Sequence, residues 1–235
     1  MKTTPYRTIR DGVIQRMGID PAQSLLPSQA SAIAEYATTA AALAWGFYDW
    51  PDTTQIEQRA VVAGSIALYQ TGLTPIGDVS AVYASDPAAT GIADELEFVV
   101  TDNALTITDA AYTTGDVYVF FALPVPRFTD TAFSSGTTYA KGDLVYYNTT
   151  GDCYEAIQAT TGNLPTDTTF WLRHRIPTFL ADYIKFYAVA ETLAEDGQYD
   201  KSQFQFVRAE GVLMQRMDDA WLRRGEVRRY SATFQ

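Results

Sequence analysis

The sequence predicts an α+β fold: a helical platform built from the N- and C-terminal segments, with an antiparallel β domain and a small β module inserted between them. Three observations carry this expectation. Apolar residues recur every three or four positions near both ends of the chain. Short β-branched and aromatic runs, punctuated by Gly, Asp, Asn and Pro, fill the middle. A dense stretch of tyrosines with paired Gly-Asp steps and a closing Trp runs from Tyr139 to Trp171. The 235 residues then divide into a helical part (1–56), a β domain (57–130), the module (131–175), a helical hairpin (176–224) and a tail (225–235). A chain of this length buries a sizeable core.

The first helix is expected in "TTPYRTIRDGVIQRMGI", with Thr4 as N-cap, Pro5 at the first helical position, and Ile9, Val13, Ile14 and Met17 on one face. The second runs from about Ser28 to Tyr48. Its stripe of Ile33, Tyr36, Ala37, Ala40, Ala41 and Ala44 is small enough for close packing, and Pro51 disfavours helix at Trp50. From Glu57 to Arg127 the runs "RAVVAGSIALYQ", "GDVSAVYAS", "DELEFVVT", "NALTIT" and "GDVYVFFALPV" read as strands. "TDN" is a hairpin turn, and Val117 to Leu123, apolar on both faces, is a central or covered strand.

"PVPRFTD" is a stiff linker into the module. There, Asp143 to Tyr147 and Asp152 to Ala159 form two strands joined by "NTTG", and "TTGNLPTDTTFW" folds back over them. Helix resumes at Pro177, with Ile176 or Thr178 near the cap and Leu180, Tyr183, Ile184, Tyr187 and Ala188 on one face. Gly197 supplies a left-handed stop. Asp200 caps the last helix, whose Phe204, Val207, Met214, Met217 and Trp221 recur at helical spacing, giving two antiparallel helices joined by a short turn.

Charge narrows the function classes. The formal net charge is -11, and between Gly18 and Leu172 the only basic residues are Arg59, Arg127 and Lys141. An acidic body repels nucleic acid, which makes the chain a poor candidate for a protein that grips phosphates and suits a wall past which DNA slides. Basic residues gather in "YRTIRDGVIQR" and "QRMDDAWLRRGEVRRYSATFQ", where an acidic partner or a neighbouring copy would meet them. Met1 to Met17 contains Lys2, Arg7, Arg10 and Arg16 with no uninterrupted apolar run behind them, so no signal peptide is expected. The most apolar segment, "ASAIAEYATTAAALAWGF", is broken by Glu35 and two threonines, so no membrane span is expected. Cys153 is alone, which leaves no intrachain disulfide and fits a reducing cytoplasm.

No catalytic, metal-binding or cofactor-binding set stands out. His174 is the single histidine, flanked by Arg173 and Arg175, and on the sequence it supplies Cys153 with no partner. "DELE" at Asp94 to Glu97 splits its side chains between two strand faces, and no phosphate-binding loop is present. The rings of Tyr139, Tyr147, Tyr154 and Trp171 either stack on sugars or form the core of a module too small to stand without large buried rings. Tyr146 and Tyr147 must point to opposite faces of one strand.

The order Tyr139, Gly142-Asp143, Val145, Gly151 with Tyr154 and Ala156, Pro165, then Trp171 resembles the small chitin-type carbohydrate-binding module. The resemblance implies a glycan or protein contact at Tyr139, Tyr147, Tyr154 and Trp171. The chain as a whole is similar to head-to-tail connector (adaptor) proteins of tailed bacteriophages. That similarity lies in a helical start, "PIGDVSAVYASDP", a β section ending "VYVFFALPVPRFT", the module, and a helical end in which "AETLAEDGQYDKSQ" is the most telling segment.

The resemblance implies a structural virion protein, not an enzyme, at the head-tail neck, assembled in the host bacterial cytoplasm. Its partners would be the portal protein, neighbouring copies in a ring (usually twelve), a downstream tail or neck protein, and passing DNA without sequence-specific binding; no membrane is involved. The module would decorate the outside of the ring. Interface-prone side chains near the end of the chain, Arg223, Arg224, Arg228, Arg229, Tyr230 and Phe234, are the expected partner contacts. The alternatives are a carbohydrate-binding protein or accessory domain of a glycan-degrading enzyme, and a cytoplasmic enzyme that depends on His174.

Overall fold

The computed structural model describes residues 2–23, 25–70, 73–90 and 94–223. Four long helices, α1 (Tyr6–Arg16), α2 (Pro27–Phe47), α4 (Ala181–Glu195) and α5 (Tyr199–Arg223), form the platform, and a short α3 (Pro87–Thr90) lies in the β domain. Helix α4 is the hub, packing against α1, α2 and α5. Two buried clusters join the segments: Tyr6, Ile9, the α2 alanines, Ile184, Ala209 and Leu213 in one, and Val13, Ile14, Ile33, Val189 and Leu193 in the other. The two ends of the sequence therefore share a core. The stripe on α2 is fully enclosed, with Ala37, Ala40, Ala41 and Ala44 each 0% exposed, because methyl side chains let helix axes approach closely.

The start of α1 differs from the expectation. Thr4 does not cap the helix; it lies in β1 (Thr3–Thr4), paired antiparallel with β13 (Ile176–Pro177), and its hydroxyl donates to Thr178 Oγ1 at 3.1 Å. Pro5 takes the cap position without a side-chain acceptor. The first helical N–H groups still need acceptors, and distant residues supply them. Tyr6 N–H donates to Asp152 Oδ1 at 3.4 Å, and Arg7 N–H to the Gly151 carbonyl at 2.8 Å.

The β domain is one six-stranded antiparallel sheet in the order β4-β7-β2-β3-β6-β5. Its strands are β2 (Thr54–Val62), β3 (Ser65–Ala67), β4 (Val79–Tyr83), β5 (Phe98–Val100), β6 (Ala104–Ile107) and β7 (Thr114–Ala122). Strand β2 begins ahead of the expected boundary at residue 57. "RAVVAGSIALYQ" is a hairpin rather than one run: Ala63 and Gly64, at φ 51° and 76°, make the tight turn between β2 and β3. "TDN" connects β5 and β6 as expected. Strand β7 is interior, with Val117, Val119 and Phe121 in the core and Tyr118 and Phe120 half-buried on the opposite face.

The module holds β8 (Thr138–Tyr139), β9 (Leu144–Tyr147), β10 (Asp152–Ala156), β11 (Thr160–Thr161) and β12 (Trp171–Arg173), arranged as a β12-β10-β9 sheet and a β11-β8 pair. The two strands expected here are present as β9 and β10, and Trp171 lies in a third strand rather than a covering loop. Strand β10 has a core on each face. Tyr154 and Ala156 join the module's own cluster, while Cys153 joins that of the platform. Tyr146 and Tyr147 likewise diverge, Tyr146 toward Tyr6 of α1 and Tyr147 toward Phe133. The module is thus built into the molecule rather than hung on its outside.

Gly197, at φ 73°, ends α4, and Asp200 lies in the first turn of α5, where its charge favours the helix N-terminus. The stripe expected on α5 is split: Phe204, Val207 and Met214 are exposed, while Met217 and Trp221 are half-buried, with Met217 against the platform core. Ser202, Ala209, Leu213 and Ala220 form the buried face. Spacing identifies an apolar face of a helix but not which face meets the hub. Among the described residues, no helix is long and apolar enough to cross a membrane.

Candidate functional site

The four module rings come together, but as a core. Tyr139 and Trp171 meet edge-on at 5.2 Å, and Phe133 packs against Tyr139, Trp171 and Tyr147. Tyr154 lies edge-on to Tyr147 at 6.2 Å. The polar ends of three of them are satisfied internally: Trp171 Nε1–H donates to the Asn163 carbonyl, Tyr139 accepts from Ser134 N–H, and Tyr154 donates to Thr150 Oγ1. Tyr139, Tyr154 and Trp171 are buried and Tyr147 is half-buried. Core support, rather than a flat platform for sugar, is what this geometry provides.

A clasp joins module and platform. Asp152, buried, accepts from Tyr6 N–H on one oxygen and from Arg173 Nε and Nη2 on the other, at 2.9 and 2.6 Å. Arg7 reaches back over the β9–β10 turn, donating to Tyr146 Oη at 3.0 Å and to the carbonyl and side-chain oxygens of Asn148. Its side chain occupies the space that any Cβ on Gly151 would need, since such an atom would lie 2.9 Å from Arg7 Cβ. A residue there must be glycine for a second reason as well, its φ of 75°.

Strand pairing also brings the single Cys and the single His together, which the sequence reading did not anticipate. His174 N–H donates to the Cys153 carbonyl at 3.0 Å, placing the two residues directly opposite each other across β10 and the end of β12. The imidazole turns to Glu155, with Nε2 3.2 Å from Oε2, and Arg127 lies 3.6 Å from the same carboxylate oxygen. The thiol turns to Thr129, donating to its carbonyl and accepting from its N–H at 3.4 Å. Burial pushes the Cys153 thiol up to about 12, so it stays protonated near neutrality and is a poor nucleophile. The i, i+2 spacing of Cys153 and Glu155, which sets both on one face of a strand, was the available signal. It needed the β12 register to become visible.

Platform, β domain and module meet around a cleft of about 440 Å³. Trp45 from α2, Tyr69 and Thr74 from the loop after β3, Leu123 after β7, and the run Trp171 to Arg175 line it. The loop wall is pinned from beneath by Arg59, whose side chain is fully buried. Its guanidinium donates to the Thr74 carbonyl at 2.5 Å and to Glu57 at 2.7 Å, and Glu57 accepts from Thr74 Oγ1. Arg59 Nε and Nη1 have no hydrogen-bond partner among the described residues, and burial lowers the proton affinity of this side chain.

Of the partner-contact residues expected near the end of the chain, Arg224, Arg228, Arg229, Tyr230 and Phe234 lie outside the described residues. Arg223 closes α5, and its side chain is not described. No group of three or more His, Cys, Asp or Glu side chains suited to a metal occurs among the described residues. Compared with known proteins, the chain matches no family model and no curated protein.

Proposed function

We propose that this protein is a structural adaptor of a tailed phage, docking on a portal ring, extending the DNA channel and offering a surface for the tail. The observation that carries the reading is the joint platform. Segments separated by the whole β region pack on α4, and among the described residues α5 exposes a stripe of Phe204, Val207, Met214 and Leu222. Large exposed apolar side chains on a single helix face mark a surface for another protein. The acidic body supports a role beside DNA without gripping it. In this reading no side chain performs covalent chemistry, and the module stiffens the platform through Asp152 and Arg7.

The test is imaging of the purified protein mixed with the portal from the same genome. Added density on the portal ring is expected, and its loss in a Phe204→Asp, Met214→Asp variant that melts like the parent. A portal left bare by the parent protein refutes the reading.

A further inference from the structure

We propose that the cleft between platform, β domain and module binds an extended segment of a partner protein, in which carboxylate side chains alternate with apolar ones, as an added strand on β12. The inference stands whether or not the chain sits on a portal, because it rests on strand geometry and charge alone.

Among the described residues, strand β12 pairs with β10 on one side and with no strand on the other. Ile157 N–H donates to the Phe170 carbonyl and His174 N–H to the Cys153 carbonyl. With antiparallel alternation, Phe170, Leu172 and His174 therefore turn their backbone groups to β10. Arg173 turns its N–H and C=O to the open edge. Side chains of a strand alternate between faces, so one face would contribute every second residue to a cavity wall. Here five consecutive residues, Trp171 to Arg175, line the cleft, which is what a strand presents along its edge. An unpaired edge inside a cleft is a template for another strand, and the cleft's volume lies within the range of established binding sites.

Charge selects the occupant. The cleft lining contains Arg173, His174 and Arg175 and no Asp or Glu, in a chain of net charge -11. Arg173 is matched by Asp152, and His174 by Glu155. Arg175 is exposed and makes no ion pair or side-chain hydrogen bond among the described residues, leaving one guanidinium to receive a carboxylate. The apolar walls of Tyr69, Leu123 and Trp45 would receive the alternate side chains. Residues 224–235 of the chain itself are the wrong sign, with Arg224, Arg228 and Arg229 against Glu226.

The test uses fluorescence polarisation on the full chain with two labelled, end-capped heptapeptides, one alternating valine with glutamate and the other valine with lysine. Saturable binding of the glutamate peptide is expected, at least tenfold tighter than the lysine peptide, with at least a tenfold loss in Arg175→Glu. That variant changes an exposed side chain, and its melting curve checks that the fold persists. The backbone N–H of Arg173 should shift in the amide NMR spectrum and exchange more slowly in the complex. Preference for the lysine peptide would assign the cleft to a basic segment and overturn the proposal. So would absence of saturation up to about 1 mM, unchanged affinity in Arg175→Glu, or binding without any change at the Arg173 amide.

Discussion

Helices α2 and α5 carry the same kind of periodic apolar signal and meet opposite fates. The α2 stripe of alanines is sealed against α4, whereas the bulkier α5 stripe of Phe204, Val207 and Met214 stands in solvent, and α5 docks through Ala209, Leu213 and Ala220. At this hub the interior favours side chains that let the axes close together. Large side chains on a helix that rests on α4 are therefore free to serve a surface. Apolar spacing establishes amphipathic character, and side-chain volume decides which apolar face is interior.

The largest expected effect strikes the sealed side. Ala40→Phe forces a ring into a site sealed from solvent between helices and should cost about 3 kcal/mol or prevent folding, read from urea unfolding. Next comes Asp152→Ala, which strips α1 of its borrowed acceptor and leaves Arg173 without its carboxylate. A loss of about 2 to 3 kcal/mol is expected, smaller than for a fully enclosed pair because Arg173 is 39% solvent-accessible. If Asp152→Ala proves neutral, the clasp is not what anchors the module.

Cys153 belongs to the same sealed core as the α2 alanines, and pH tests it. Its folded-state affinity for the proton is raised above that of the unfolded thiol. The resulting stability is complete below about pH 8.5 and is lost as pH rises toward 12, at a slope of about 1.4 kcal/mol per pH unit. Unfolding curves should be free of this component up to about pH 8.5 and approach this slope between about pH 9 and 10 in the parent but not in Cys153→Ala, and a thiol reagent at pH 8 should label only unfolded chains. The smallest effect belongs to the open side: Phe204→Ala should change stability by no more than about 0.5 kcal/mol. A large loss there would mean that the α5 stripe is already covered within the monomer.

Much of the fold was legible because its signals are local. The Pro27 and Pro51 boundaries of α2, the Gly197 stop and the "TDN" turn depend on residues within a few positions of the event, and each lies where the sequence placed it. What was not legible depends on partners far along the chain. Thr4 has the chemistry of an N-cap, yet strand pairing with Ile176 claims it and Asp152 takes over the cap. Cys153 has no basic or imidazole neighbour in sequence, and only the β10–β12 register sets His174 opposite. The cleft is formed by residues from Thr3 to Arg175, so no single stretch of sequence announced it.

The pairing of Thr3–Thr4 with Ile176–Pro177 has a consequence for synthesis. The hydroxyls of Thr4 and Thr178 are 174 positions apart, and Asp152 lies 146 positions beyond the amide it serves. At ordinary ribosomal speed that separation is on the order of ten seconds, during which the first helix emerges with neither its end sealed nor its apolar face sheltered. A nascent chain of this kind should hold a chaperone near its beginning until translation has passed the module, and a premature stop before Asp152 should leave the α1 and α2 segments without α4 and prone to aggregate.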